Sequence, residues 1–239
     1  MTDIAANWLR VRRAVENAAA RADRDPAEVR VIAATKTKSV ETIREAVAAG
    51  LRDFGENYVQ EAATKIPALG GDVRWHLIGH LQRNKAARAV EMFDTIHTLD
   101  NVALGRSLGR LGAARGAPVR ALLEINLGGE SAKSGIRAED APRLLAALAA
   151  EEYLVIEGLM TVPPAGSVEV ARGFFRELRC LRDRLRQVAG ANATLRELSM
   201  GMTDDFEVAI EEGATMVRIG RALLGERPRS LTQVATEER

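Results

Sequence analysis

The chain has 239 residues, 46% of them hydrophobic, which is enough for one α/β domain with a sizeable core. Its 34 basic and 33 acidic side chains leave a net charge of +1, and aromatic residues make up only 4%. That balance supplies neither the basic surface nor the stacking platform of a nucleic-acid binder, and no basic patch for an acidic membrane.

The first twenty residues carry Asp3, Arg10, Arg12, Arg13 and Glu16 at helical intervals and lack the apolar centre of a signal peptide. The longest apolar run of the carboxyl half, 144–150, is far too short to span a bilayer. The single cysteine, Cys180, allows no internal disulfide and fits a reducing compartment, so the expected location is the cytoplasm.

After the N-terminal helix, short apolar runs alternate with helical patterns. Strands are predicted over 29–34, 53–55, 74–79, 95–98, 119–126, 154–160, 195–200 and 216–220. Helices are predicted over about 40–49, 58–66, 82–93, 102–114, 138–151, 168–189 and 204–212, with a further helical turn after the last strand. Regular alternation of this kind predicts a (β/α)₈ TIM barrel, an α/β fold, with an extra N-terminal helix; an open doubly wound sheet is the alternative. No linker or change of composition divides the chain. The expected organisation is therefore one barrel over 1–228 and a polar tail over 229–239.

Chemistry is suggested first by Val31-Ile32-Ala33-Ala34-Thr35-Lys36-Thr37-Lys38. An apolar run followed by Ser39, a helix-capping residue, puts Lys36 at the carboxyl end of the first strand, where α/β proteins bind ligands. A partly desolvated lysine there is an amine nucleophile towards an aldehyde; the plainer alternative is a lysine snorkelling from a strand end. By the period of two, Lys38 shares a strand face with Lys36, and it and Lys133 are alternative acceptors.

A second signal is the pair Ser199-Met200-Gly201-Met202-Thr203-Asp204-Asp205 and Arg218-Ile219-Gly220-Arg221. Barrels often seat a phosphate between the loops after strands seven and eight, on backbone N–H groups that glycine lets approach closely. Ser199 and Thr203 add hydroxyl donors. Read by itself, Asp204 is better taken as a helix cap completed by Glu207. The polar clusters 54–57 and 79–85, also at strand ends, would line the same mouth as Lys36.

The histidines do not predict a metal site. His76 and His80 are four apart, but on a strand end and not on a helix face; His97 is on another strand, and Cys180 reads as a packing residue of a helix.

Taken in order, Thr35-Lys36-Thr37, the run 54–61 (FGENYVQE), the run 75–85 (WHLIGHLQRNK), Ser134-Gly135, Gly158-Leu159-Met160, the run 199–205 (SMGMTDD) and the run 216–220 (MVRIG) resemble the pyridoxal phosphate homeostasis protein family. The resemblance implies a barrel like the N-terminal domain of alanine racemase. It implies pyridoxal 5′-phosphate held on Lys36 as a Schiff base. It puts Ser199, Gly201, Thr203 and Gly220 near the phosphate, Arg218 at the pyridine nitrogen, and Asn57 and His76 on the cofactor side. His80 and Arg83 stand where some relatives have proline and serine and receive no role.

A guanidinium can only donate, so Arg218 would leave the ring nitrogen unprotonated and the ring a poor electron sink. The function implied is storage, buffering or delivery of the cofactor inside the cell, without substantial catalysis. The alternative is a pyridoxal-phosphate-dependent amino-acid racemase. That reaction needs a base opposite the lysine, and of the two tyrosines, Tyr58 and Tyr153, only Tyr58 is near the motifs, with an outward or packing role preferred. A cofactor-free Schiff-base aldolase would leave the Arg218 segment unused. Expected partners are pyridoxal 5′-phosphate and the apo-enzymes that receive it, with no nucleic acid and no membrane; a monomer is expected.

Overall fold

The structure is a computed structural model and describes residues 2–130 and 133–226. Eight parallel strands close into a barrel in sequence order. They are β1 (Arg30–Ala34), β2 (Asp53–Glu56), β3 (Arg74–Leu77), β4 (Thr95–Leu99), β5 (Val119–Glu124), β6 (Leu154–Met160), β7 (Ala193–Ser199) and β8 (Met216–Ile219). The helices are α1 (Ile4–Arg21), α2 (Val40–Ala48), α3 (Val59–Leu69), α4 (Ala86–Met92), α5 (Val102–Arg115), α6 (Ala141–Leu148), α7 (Val168–Arg186), α8 (Phe206–Glu211) and α9 (Arg221–Leu224).

Every strand and helix expected from the sequence is present. Several boundaries move by one to three residues. The helices expected from residues 82 and 138 each open as a 3₁₀ turn, Arg83–Lys85 before α4 and Ala138–Asp140 before α6; β3 and β5 end two residues early, at Leu77 and Glu124; α3 runs on to Leu69; and β7 begins at Ala193, which pairs with Ile156 across a register shift. The boundary expected at residue 228 and the tail after it lie outside the described residues.

Strands β2, β4 and β8 are buried at every position, as expected of a parallel sheet with helices on one side and a filled interior on the other. Most of the core lies between strands and helices. α7 shows the pattern: Ala171, Phe175, Leu178, Leu181 and Leu185 are buried at helical spacing. Cys180 falls off that stripe and is exposed, so the expected packing role is corrected: at 100° per residue, burying 178 and 181 turns 180 outward.

A separate cluster of Ile32, Leu122, Met160 and Met216 fills the inside of the barrel. β1 and β5 lie on opposite sides of the closed sheet, so their side chains can meet only through its interior. α1 occupies a place in the outer layer against α2, α8 and α9 and is fastened by Asn7 Nδ2 donating to the Leu223 carbonyl at 2.9 Å. Among the described residues, no helix is long and apolar enough to cross a membrane.

Helix starts follow local hydrogen bonding. Asp3, Ser39 and Asn101 cap α1, α2 and α5 through their side chains. The expected cap by Asp204 is corrected. α8 starts after Asp205, whose Oδ1 accepts from Met202 N at 2.6 Å, while Asp204 pairs with Arg221 at 2.6 Å and Glu207 with Arg21 at 2.8 Å. The extra turn of the 201–205 loop moves the helix start one residue on, and both acids find a guanidinium instead.

Gly173 is exposed in the middle of α7, and a Cβ built there meets nothing within 4 Å. Gly173→Ala is expected to raise stability by about 0.5–1 kcal/mol through the smaller backbone entropy of the unfolded chain. The check is a higher urea midpoint at unchanged m-value.

Candidate functional site

Lys36 lies two residues beyond the end of β1, half-buried in a turn. Its neighbours are clamped on both sides. Thr35 Oγ1 donates to Glu56 Oε1 at 2.6 Å, and Lys65 Nζ donates to the Thr35 carbonyl at 2.7 Å and to Glu56 Oε1 at 2.8 Å. On the other side, Thr37 N donates to Glu61 Oε1 at 2.6 Å, and Glu61 is itself paired with Lys65.

Thr37 has φ 65°, a left-handed conformation rare for a β-branched residue. Lys36 and Lys38 therefore do not share a strand face as expected, because the strand has ended and Thr37 breaks the alternation. Lys38 Nζ instead donates to the carbonyls of Gly225 and Glu226 at 2.8 and 2.7 Å.

β1 pairs with β8, with Ile32 opposite Arg218 and Ala33 opposite Ile219, which brings the Lys36 turn beside Gly220. A cleft of about 380 Å³ lies there, lined by Lys36, Lys38, Gly220 and Arg221 among others. Gly220 has an ordinary φ of −106°, and a Cβ on it would touch only Ala34, at 3.5 Å. The fold does not demand a glycine here, and its bareness leaves the backbone open towards the cleft.

Gly201 is different. Its φ is +92° and a Cβ would sit 2.5 Å from that of Ala209, so this loop cannot be built with another residue. Its carbonyl accepts from Arg218 N at 3.0 Å, which holds the two loops in register. Thr203 is half-buried in the same loop, and Asn57 is half-buried after β2, its backbone packed so closely on Gly79 that a Cβ there would lie 2.2 Å from the Asn57 oxygen. A larger depression of about 570 Å³, bordered by Thr2, Asp3 and Glu45, has no lysine or arginine in its lining.

Arg218 is 5% exposed, on β8 beneath the cleft. Its Nη1 donates to Ser199 Oγ at 2.6 Å and its Nη2 to the Thr161 carbonyl at 2.8 Å. Burial lowers the guanidinium to about 10, opposed by Asp205 and Glu124, so it remains a cation at neutral pH. Ser199 is fully buried and its Oγ lies 2.9 Å from His97 Nδ1; it therefore supports Arg218 from below. His76 is 1% exposed, with Nδ1 3.0 Å from His97 Nε2 and Nε2 3.1 Å from Asp53 Oδ1. Of the expected site residues, Lys36 and Gly220 line this cleft; Gly201 and Thr203 belong to the adjoining loop, joined to β8 through Arg218 N; and Arg218, Ser199 and His76 are buried in the barrel.

Asp53, Glu56, Glu61, Lys65 and His97 have supporting roles that the sequence did not reveal. Glu124 is another. Burial pushes its carboxyl up to about 7, with repulsion from Asp100 adding and Arg218 opposing, and its Oε2 is buried without a hydrogen-bond partner among the described residues. Ligand atoms of His80, Asp100 and Glu124 lie within 4.8 Å of one another, a grouping able to take a cation. A search for histidines at helical spacing cannot find it; the usable signal is that all three sit at the carboxyl ends of successive strands.

A closed barrel with a lysine just past its first strand and a buried arginine on its last defines a class of lysine-bearing (β/α)₈ ligand-binding barrels. The chain matches the model of the family described as alanine racemase, N-terminal domain, over residues 3–228. It is 42% identical over 229 residues to the pyridoxal phosphate homeostasis protein of Pseudomonas aeruginosa, covering 95% of this chain and 97% of the relative. It therefore belongs to the pyridoxal phosphate homeostasis protein family. Among solved structures, it resembles an unknown protein from Bifidobacterium adolescentis (35% identity, TM-score 0.87, 93% and 97% of the two chains). It also resembles PipY of Synechococcus elongatus PCC7942 with PLP bound (38% identity, TM-score 0.79, 89% and 100% of the two chains).

Removing one member of the buried Glu56–Lys65 pair leaves the other charge unpaired, so Lys65→Met is expected to cost about 3–5 kcal/mol, read as a drop in the urea midpoint. Asp53 gives a pH signature. Burial pushes its carboxyl up, but hydrogen bonds from Arg74 and His76 more than offset this and hold it well below the usual carboxylate range. A depressed acid stabilises the fold above its unfolded pKa of about 3.9 and loses that contribution as pH falls. The stability gap between the native chain and Asp53→Asn should be full at about pH 6 and shrink towards about pH 2. Urea midpoints that keep a constant gap over that range would contradict it.

Proposed function

We propose that the mouth between β1 and β8 holds pyridoxal 5′-phosphate, with Lys36 as the covalent attachment point, and that the protein stores, buffers and hands on this cofactor. The observation that carries the reading is the convergence, on one cleft, of a half-buried lysine amine and a bare glycine loop, with a buried cation on the adjoining strand. The donor set fits the group. When bound, the cofactor supplies an aldehyde that a lysine amine can condense with, a ring nitrogen and a phosphate.

Lys36 Nζ meets the aldehyde. Backbone N–H groups of the Gly201 and Gly220 loops, with the Thr203 hydroxyl, receive the phosphate. Arg218 offers N–H groups to the ring nitrogen, and Ser199 holds it there. Asn57 and His76 shape the cofactor side, His76 from beneath. The names of the relatives and PipY with PLP bound support this reading.

Turnover of amino acids is not part of the reading. Proton removal and return across a carbon need groups on two faces, and Tyr58 is 62% exposed and directed to solvent. Arg218 donates and does not protonate the ring. The reading includes a monomer in the cytoplasm that passes the cofactor to apo-enzymes.

Borohydride treatment of the loaded protein followed by peptide mapping is expected to place the reduced pyridoxyl group on Lys36, and Lys36→Ala to abolish the adduct while remaining folded. An adduct of undiminished stoichiometry on Lys38 or Lys133 would sink the assignment. Pyridoxal, lacking charge-assisted bonds worth about 1.5–3 kcal/mol each, should bind at least tenfold more weakly than its phosphate by equilibrium dialysis. Incubation of loaded protein with L-alanine in deuterated water is expected to give no sustained α-deuterium exchange; exchange that disappears in Lys36→Ala would favour a racemase instead.

A further inference from the structure

Behind the mouth a single row of buried side chains runs across the barrel: Arg218 on β8, Ser199 on β7, His97 on β4, His76 on β3 and Asp53 on β2. Its links measure 2.6, 2.9, 3.0 and 3.1 Å. Arg74 closes the row at the far end with two hydrogen bonds of 2.7 Å to Asp53.

The direction of each hydrogen bond can be worked out from the ends. Asp53 is an ionised acceptor, so His76 Nε2 must carry a hydrogen. Arg218 can only donate, so Ser199 Oγ must accept. Among the described residues, Ser199 Oγ has only two hydrogen-bonding neighbours, Arg218 and His97. Its own hydrogen must therefore go to His97 Nδ1, or be buried without an acceptor at a cost of about 1–3 kcal/mol. That leaves the hydrogen of His97 on Nε2, donating to His76 Nδ1, and His76 is the neutral Nε2–H form. Burial, with His76, Arg218 and Arg30 nearby, holds His97 well below the ordinary histidine range, in agreement with a neutral ring.

We infer that Asp53, His76 and His97 are positioning residues for Arg218: their one-way relay fixes the Ser199 hydroxyl so that its lone pair faces the guanidinium. If either imidazole took the other tautomer, two N–H donors would converge on Ser199 and its hydrogen would lose its acceptor. The state of a carboxylate on β2 is thereby tied to the orientation of a donor on β8. In ligand terms the inference rests on the assignment of Arg218 to the ring nitrogen made above, and it selects for a ring with a lone pair at that position.

The experiment has two arms. In the first, the unloaded protein labelled with ¹⁵N-histidine is studied by long-range ¹H–¹⁵N NMR at pH 7. Both His76 and His97 are expected as Nε2–H tautomers; a hydrogen on Nδ1 of His97 would overturn the relay. In the second, affinities are measured for pyridoxal 5′-phosphate and for its 1-deaza analogue, in which carbon replaces the ring nitrogen. Each is titrated into the native chain, His97→Leu and Ser199→Ala.

If the relay acts through Arg218, both variants should lose about tenfold for the natural cofactor and less than about twofold for the analogue. Equal losses for both ligands would reduce the row to a packing role and overturn the inference. Ser199→Ala removes one oxygen and keeps the test decisive if His97→Leu does not fold. A native chain that binds both ligands equally would count against the ring-nitrogen assignment itself, and the NMR result alone would then decide the relay.

Discussion

The pairing of β1 with β8 is the constraint on which the site depends. Arg30 to Ala33 run beside Met216 to Ile219, joining parts of the chain nearly the whole sequence apart. A parallel barrel has no other way to remove its two edges, and closure requires a fixed stagger of all eight strands. The lysine turn and the Gly220 loop are therefore neighbours because the sheet is shut. A slip of one residue in this register would turn Arg218 from the interior to the helix layer and leave Ile219 in its place. The inner cluster of Ile32, Leu122, Met160 and Met216 makes such a slip costly by filling the lumen with close-packed apolar side chains.

The barrel interior also holds polar groups, in register with members of that apolar cluster: Ile32 lies opposite both Asp53 and Arg218, and Ser199 opposite Met216. Asp53, His76, His97, Ser199 and Arg218 together bring one carboxylate, one guanidinium and two imidazoles out of water. Isolated, each charge would cost several kcal/mol to bury. In this arrangement successive members of the row are hydrogen-bonded to one another, and Arg74 neutralises the acidic end. Two carboxylates outside the row, Glu56 on β2 and Glu124 on β5, each keep one buried oxygen without a hydrogen-bond partner among the described residues, and burial raises the pKa of both.

The fold was legible because the periods of the sequence are clean. Short, mainly apolar runs such as 31–34 and 216–219, the latter interrupted only by Arg218, are too brief for amphipathic helices, and the segments between them bury residues every three or four positions. Lys36 and the two glycine loops were legible for the same reason, since each follows a strand. What escaped was everything decided by tertiary direction. Nothing in the spacing of Glu56 and Lys65 announces a buried ion pair, because one is on a strand and the other on the outer helix that follows it. Ser199 read as a loop donor, yet as the last residue of β7 its side chain points inward to His97, on a strand across the barrel. Lys38 was misjudged for want of one dihedral angle, since no alternation survives a left-handed Thr37.

That Thr37 also bears on kinetics. A β-branched residue in the left-handed region carries strain of about 1–3 kcal/mol, and it persists here because Glu61 accepts its N–H and Lys65 grips both Glu61 and the Thr35 carbonyl. The turn bearing Lys36 is thus set in shape by the fold, before any small molecule arrives. Ordering entropy that a floppy loop would lose on association has already been lost when the chain folded. A small molecule docking against this turn meets a backbone already in its final shape, so no slow rearrangement of the loop need precede its arrival or its departure.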